Sequence, residues 1–474
     1  MLTLADALEA LTGVRPDTAA VITEAAIDSR QVIPGSLFAA IPGEHVDGHD
    51  FVAEAFRRGA SLALIQKDVD ASLRVLDLRA PDQPGGWTAE QLAPPLCLRV
   101  DNTVSALQQI ARFWRRKLNL RVIGITGSVG KSTTKEVVAQ VLNQRYRTLK
   151  SPGNLNNEIG LPLTLLRLGT GYQHAVLEMG FYVAGEVAFL CDIALPQVGV
   201  VSNVGTVHAE RAGSQEAIAR GKAELVQALP AAPEGVAILN FDDPYVRRME
   251  EKTRARVFFY GLSPEAELWA DQVESLGLDG IRFRLHYQKE VLHAHVPMIG
   301  RHSVHTALRA AAVGLAEGLN WQEIFDGLHH GHTQLRLVAV RSESGALILD
   351  DTYNASPESM LAALNLLSEL EGRKIAVLGD MLELGQYERQ GHEMVGMRGA
   401  QVAKTLITLG PRAHLIAEAA RRAGMKASLV LEFEQIEPII EWLQKNLSAG
   451  DAVLIKGSHG LHMDRITAAL EVRS

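Results

Sequence analysis

The sequence predicts an α/β protein of three units: a small α/β unit, a central parallel-sheet unit and a second open α/β sheet. Three observations carry this. Arg121–Thr134 reads RVIGITGSVGKSTT, a β-branched apolar run followed by a glycine-bearing loop and the start of a helix. After it, HAVLE (174–178), VGVVS (198–202), VAILN (236–240) and VFFY (257–260) alternate with helical stretches. The same alternation returns in ALILD (346–350), KIAVLG (374–379), KTLITLG (404–410), SLVL (428–431) and AVLIK (452–456). Strands that alternate with helices make parallel sheets covered by helices. A chain of 474 residues is long enough for two or three such cores. The boundaries are placed at 1–100, 101–331 and 332–474.

In the first unit, Leu4, Leu8 and Leu11 mark an amphipathic helix, and AVIT (20–23), SLFAAI, LALIQ and RVLDL read as short strands. Asp28-Ser29-Arg30 and Asp47-Gly48-His49 fall in the loops beside them, where such triplets ordinarily serve as turn chemistry. Asp82–Pro95 is rich in Pro and Gly and reads as a loop near a domain boundary. Asn102–Leu118 is a helix with Val104, Leu107, Ala111, Trp114 and Leu118 on one side. Residues 265–297 break the alternation as an antiparallel excursion, and Arg301–Gly318 returns to helix. In the third unit Ser356-Pro357 caps and starts a helix running to about Leu370.

Composition narrows the function. The hydrophobic fraction of 47% and charged fraction of 22% are ordinary for a globular protein. A net charge of −8 argues against a nucleic-acid partner, since no basic excess neutralises phosphates. Cys97 and Cys191 are the two cysteines, too few for a disulfide framework or a four-thiolate zinc site. The opening MLTLADALEALTGV has acidic residues and helical spacing, so no signal peptide is expected. No stretch approaches the apolar length of a membrane span. A cytoplasmic protein is expected, and nothing demands more than a monomer.

The loop TGSVGKST is a phosphate cradle. Gly127 and Gly130 let the backbone turn so that consecutive N–H groups point at an anion. The helix that begins at Lys131 adds its positive dipole end, and Lys131 a full charge aimed at β- and γ-phosphates. Ser132 places a hydroxyl where a phosphate-bound Mg²⁺ needs one. A strict motif would have its first glycine at position 125, where Ile125 stands, so this loop is shorter. Nucleoside triphosphate binding follows, with Gly127, Ser128, Val129, Gly130, Lys131, Ser132 and Thr133 as the contact segment.

Ligands collect at the C-terminal ends of strands in open α/β sheets. Glu178 ends one such strand and His208 follows another; with Ser132 they offer donors around the phosphates. On the helix Ser214–Leu229, Lys222 lies mid-stripe among Ile218, Leu225 and Leu229. A desolvated lysine is driven towards its neutral amine, which can do chemistry that includes forming a carbamate with CO₂. A lysine that snorkels to solvent is the plainer alternative, and spacing does not choose between them. Asp350 and Asp351, followed by Tyr353 and Asn354, end the first strand of the third unit. Two sheets that each present a polar strand end point to a site in the cleft between them.

GSVGKSTTKE, GNLNNEIGLPLTLL (153–166), LEMG (177–180), NVGTVHAE (203–210), GKAEL (221–225), GRH (300–302), DDTYNASPESM (350–360) and DSRQVIPGSLFAAIPGEHVDGHDF (28–51) together resemble the ATP-dependent Mur ligases of peptidoglycan synthesis. The resemblance spans all three units. It implies an N-terminal domain that holds a UDP-sugar, a central P-loop-type ATPase domain and a C-terminal Rossmann-like domain that closes on ATP. It implies that Ser29, Arg30, Asp47 and His49 serve the sugar nucleotide. Lys131 would hold phosphates, Ser132, Glu178 and His208 would serve Mg²⁺, expected as two ions, and a carbamylated Lys222 would help the second.

By the same resemblance Asn156 and Asn157 lie near the reacting groups, and His302, Arg336 and Asp351 reach the nucleotide. Tyr353 and Asn354 reach nucleotide or substrate, and Lys456 and Ser458 lie near the peptide. The implied substrates are UDP-N-acetylmuramoyl-tripeptide, D-alanyl-D-alanine and ATP, joined through an acyl phosphate. The chain departs from the family pattern at Ser303, Thr306, Leu335 and His459. Rival expectations are another Mur-type or folylpolyglutamate synthetase-like amide ligase, or a non-catalytic nucleotide-binding regulatory subunit.

Overall fold

A computed structural model describes residues 1–43, 46–79, 86–329 and 338–471. Arg336, expected at the nucleotide, lies outside these residues. The first sheet holds β1 (Ala25–Ala26), β2 (Leu37–Ala39), β3 (Leu62–Ile65), β4 (Val75–Asp77) and β5 (Leu96–Arg99), all parallel, in the order β1-β2-β3-β5-β4.

The central sheet is built from β6 (Arg121–Thr126), β7 (Thr148–Lys150), β8 (His174–Glu178), β9 (Val198–Val201), β10 (Val236–Asn240), β11 (Arg256–Gly261), β12 (Leu268–Ser275), β13 (Ile281–Tyr287) and β14 (Glu290–Val296). Its order is β14-β13-β12-β11-β10-β9-β6-β8-β7, and only the β12–β13 and β13–β14 pairs are antiparallel. The third sheet contains β15 (Val338–Arg341), β16 (Leu347–Asp350), β17 (Lys374–Gly379), β18 (Thr405–Leu409), β19 (Val430–Phe433) and β20 (Ala452–Lys456), in the order β15-β16-β20-β17-β18-β19. It is parallel except for β15.

The parallel strands β6, β8, β9 and β10 are buried almost throughout, as expected of strands covered on both faces. The Thr103–Lys117 helix ties the first unit to the second. Asn102 caps it by accepting from Ser105 N at 2.8 Å. Its Leu107, Ile110 and Trp114 share one core with Leu37 and Leu98 of the first sheet and Val122 of the second. At its ends, Thr103 N donates to Gln66 Oε1 at 2.9 Å and Lys117 Nζ reaches Asp6 and Glu9.

Some expectations are corrected. AVIT is not a sheet strand; Thr3 bridges Val21, and Ile22 N donates to Leu2 O, so this segment pairs with the N-terminus. The sheet begins instead at Ala25. Strands β5, β7 and β15 were not expected; all three are short, and β15 is an exposed antiparallel edge. No helix among the described residues is long and apolar enough to cross a membrane.

Candidate active site

The C-terminal edges of the central and third sheets face each other across a cavity of about 530 Å³. On one side lies the phosphate loop. Gly127 has φ +148°, and a Cβ there would stand 1.8 Å from Ser202 Oγ, so no other residue fits. Gly130, at φ +85°, turns the chain into the Lys131–Leu142 helix. The segment after β9 holds the loop down: Ser128 N donates to Asn203 O at 3.0 Å and Val129 N to Asn203 Oδ1 at 2.9 Å. Ser202 Oγ donates to Val129 O at 2.7 Å. Lys131 folds back over the loop, Nζ donating to Gly127 O at 2.7 Å. Its charge therefore rests where a phosphate chain would lie.

Glu178, the last residue of β8, is buried beside the loop. Ser132 Oγ donates to its Oε2 at 2.7 Å, and Asn156 Nδ2 to its Oε1 at 2.9 Å. Lys135 Nζ lies 3.8 Å from the same carboxylate. Among the described residues no cluster of three or more His, Cys, Asp or Glu side chains could hold a metal unaided. The Ser132–Glu178 pair instead suits Mg²⁺, which takes few protein oxygens and fills its shell from phosphate and water.

His208 also lines the cavity, with its backbone in the left-handed region at φ +67°. Its Nδ1 lies 2.6 Å from Glu383 Oε2, a residue of the third unit, and its ring meets Tyr182 edge-on. Burial, then the charge of Lys131, pulls its pKa below the usual imidazole value against the pull of Glu383. A further contact joins the units where Thr206 N donates to Glu358 Oε1. The His302 ring opens on the cavity, yet the walls around it desolvate it; with the charges of His305, Arg309 and Lys456 this takes its pKa down to about 4. It is a neutral ring at pH 7.

From the third unit come Asp351, Tyr353, Asn354 and Lys456. Lys456 Nζ, itself 2% exposed, donates to Asp351 Oδ2 at 2.7 Å and to Asn354 O at 2.8 Å, which fixes that strand end. Tyr353 lies against His459. Ser458 turns inward instead, its Oγ accepting from Leu382 N. Asn157 accepts from Gly160 N at the start of the Gly160–Leu165 helix and lines a smaller neighbouring cavity of about 290 Å³. The N-terminal triplets line neither cavity: Asp28 and Asp47 cap short 3₁₀ turns, Ser29 is buried, and Arg30 pairs with Asp28. His49 accepts from Gln66 N at Nε2, so its Nδ1 carries the proton and donates to Asp47.

Lys222 is 1% exposed on the Gln215–Gln227 helix. Gly221 beside it leaves room for Phe181, since a Cβ there would stand 1.9 Å from that ring. The Lys222 ammonium lies 4.9 Å from the same ring's centre, and no carboxylate among the described residues pairs with it. Desolvation first, and the charge of Lys131 second, hold its pKa well below the ordinary lysine value.

Residues 21–115, 125–314 and 335–459 match, in turn, the catalytic domain of the Mur ligase family, the Mur ligase middle domain and the Mur ligase glutamate ligase domain. The chain is 34% identical over 454 residues to UDP-N-acetylmuramoyl-tripeptide–D-alanyl-D-alanine ligase of Bacillus subtilis, covering 95% of this chain and 93% of that one. The chain belongs to the Mur ligase family. Its fold superposes on the crystal structure of MurF from Acinetobacter baumannii with a TM-score of 0.82, 30% identity and 98% of both chains covered. MurF from Thermotoga maritima, crystallised with ADP, gives 0.78 at 27% identity over 97% of each chain.

Among the polar residues of this Mur ligase site that sequence reasoning missed are Asn203, which clamps the loop, Glu383, which meets His208, and Arg309. Arg309 left a signal, a lone arginine in the alanine-rich helix Ser303–Ala316. Asn203 and Glu383 left none, because their partners lie far away in sequence.

Proposed function

We propose that this chain joins D-alanyl-D-alanine to UDP-N-acetylmuramoyl-tripeptide at the expense of ATP, giving UDP-N-acetylmuramoyl-pentapeptide, ADP and phosphate in peptidoglycan precursor synthesis. The observation that carries this is the single cavity in which the phosphate loop faces Asp351, Tyr353, Asn354 and Lys456 of the third sheet. The tripeptide carboxylate attacks the γ-phosphorus of ATP and ADP leaves. The dipeptide amine then attacks the acyl carbon, and phosphate leaves from the tetrahedral intermediate. Lys131 and the first turn of its helix offset the repulsion between carboxylate and triphosphate.

Ser132 and Glu178, with His208 nearby, would hold Mg²⁺. Bound there, it supplies charge neutralisation along the phosphates. We also propose that Lys222 carries a carbamate. Its amine is buried, paired with no carboxylate among the described residues and shifted towards the neutral form that adds to CO₂, and the product is an anion able to serve a metal. Asn156 orients Glu178 and lies near the reacting groups. His302 and Asp351 serve the nucleotide. Closure of the third unit, through contacts such as His208–Glu383, shields the acyl phosphate from water.

The proposed division of labour is sugar-nucleotide binding by residues 1–100, ATP binding by 101–331 and dipeptide capture by 332–474. Ser29, Arg30, Asp47 and His49 act in the first of these, and Lys456 with Ser458 in the last. The enzyme works in the cytoplasm, where its nucleotide substrates reside. Phosphate release tests the proposal: it should require UDP-N-acetylmuramoyl-tripeptide, D-alanyl-D-alanine and ATP together. Nucleotide binding with no turnover under those conditions would instead make the chain a regulatory subunit.

A further inference from the structure

Arg309 is 4% exposed and lines the large cavity. Its Nη2 donates to Thr306 Oγ1 at 2.8 Å, one turn earlier on the same helix. The guanidinium lies over the buried Tyr260 ring, 5.9 Å from its centre. Its Nε is buried without a hydrogen-bond partner. Among the described residues, no carboxylate forms an ion pair with it.

A guanidinium removed from water and left without an anion is costly, and it persists where an anionic ligand completes it. Its place identifies that ligand. A Cβ built on Gly130 would stand 3.3 Å from Arg309 Nη2, so the guanidinium packs directly against the last glycine of the phosphate loop.

The other buried cations nearby are differently placed. Lys456 is neutralised by Asp351 and Lys135 lies near Glu178, whereas Arg309 has two neutral hydroxyl neighbours, Thr306 and Tyr260, and no carboxylate partner among the described residues. Thr306 holds one amino group in place, and the planar guanidinium keeps further N–H donors that can pair oxygens of a phosphate.

We infer that Arg309 is a nucleotide-binding residue that contacts the phosphate chain of ATP beside the phosphate loop, with Thr306 as its positioning residue. This rests on the ATP-dependent reading above and extends it to a residue of the Ser303–Ala316 helix. The contact is made to ATP and retained by ADP. It favours phosphate over the base because the guanidinium abuts the loop glycine.

Displacement of a fluorescent ADP analogue from the full chain tests this, with ADP, tripolyphosphate and adenosine as competitors. Arg309→Gln should weaken ADP and tripolyphosphate alike, by about ten- to a hundredfold, as expected for a lost charge-assisted hydrogen bond. Adenosine should compete as it does with the unaltered protein. Arg309→Lys should keep most of the tripolyphosphate affinity, and Thr306→Val should lose several-fold. These last two decide the matter if Arg309→Gln does not fold.

Unchanged phosphate affinity in folded variants would overturn the inference, since a purely structural arginine moves stability alone. A loss confined to adenosine would overturn it too, by placing the contact on the base or ribose. Failure of the unaltered protein to bind ADP would sink the ATP-dependent reading itself, a separate result.

Discussion

The phosphate loop and the N-terminal triplets are both short polar segments at strand ends, yet they spend their polar groups differently. At 128–133 Gly130, the helix N-terminus and Lys131 line one open volume. At 28–30 and 47–49 the side chains turn back on the protein: Asp28 and Asp47 cap turns, and His49 spans from Asp47 to Gln66 N. The first region can lose its central charge with little effect on packing. The second cannot lose His49 without opening a buried network that leads through Gln66 to the Thr103–Lys117 helix.

The largest expected effect is at Lys131. Lys131→Ala should lower phosphate release by about a thousandfold or more, because it removes a charge from the transferring phosphates. Thermal unfolding should stay where it is. Near-normal release from a folded variant would place the nucleotide elsewhere.

Next comes Lys222. Its replacement by alanine should cost on the order of a hundredfold in turnover. Added formate or acetate should restore part of it by filling the emptied position. Lys222→Arg should stay inactive, since a guanidinium forms no carbamate. An active arginine variant, or a lysine that shows no bound CO₂ in the mass of the intact protein under bicarbonate, would refute the carbamate.

His49→Ala sharpens the contrast from the other side. It should weaken binding of a UDP-muramoyl ligand without ATP present and also lower stability by about 1–3 kcal/mol, the cost of a buried partner left unsatisfied. Calorimetric titration and chemical unfolding read the two effects. A variant that is destabilised but binds the ligand normally would make the triplet purely structural.

The smallest effect is expected at Asp6. Burial raises its pKa, but hydrogen bonds from Thr3, Arg15 and Lys117 outweigh this and lower it from 3.8 to about 2. A depressed folded-state pKa gives stability that is present above the unfolded value and lost as pH falls through the folded one. Asp6→Asn should therefore cost roughly 2 kcal/mol at neutral pH, with the two unfolding curves converging near and below about pH 2. A gap that persists at low pH would assign the loss to packing.

What could be read from the sequence follows the same division. The strand, loop and helix around Lys131 are contiguous, so local propensity and spacing carry them. Lys222 stands buried where its helical spacing put it, because periodicity reports a face. Ser356 caps the Pro357–Glu369 helix, as a serine before a proline should.

Ser132 and Glu178, 46 positions apart, are brought together by the rule that ligands gather at strand ends. Other pairings over long separations left no such trace: His208 finds Glu383 across 175 positions. Gln66 meets Thr103 only because β3 and the linking helix lie side by side. AVIT has strand composition but pairs with the N-terminal segment, a choice set by tertiary packing rather than by its own residues.

The central claim is that the cavity between the two sheets passes a phosphoryl group to the tripeptide before the peptide bond forms. The most direct test labels the terminal carboxylate of UDP-N-acetylmuramoyl-tripeptide with ¹⁸O and follows the released phosphate by mass spectrometry. Attack of that carboxylate on ATP predicts one labelled oxygen in each phosphate, formed only when D-alanyl-D-alanine is consumed. Phosphate that carries no label while the pentapeptide accumulates would contradict the account.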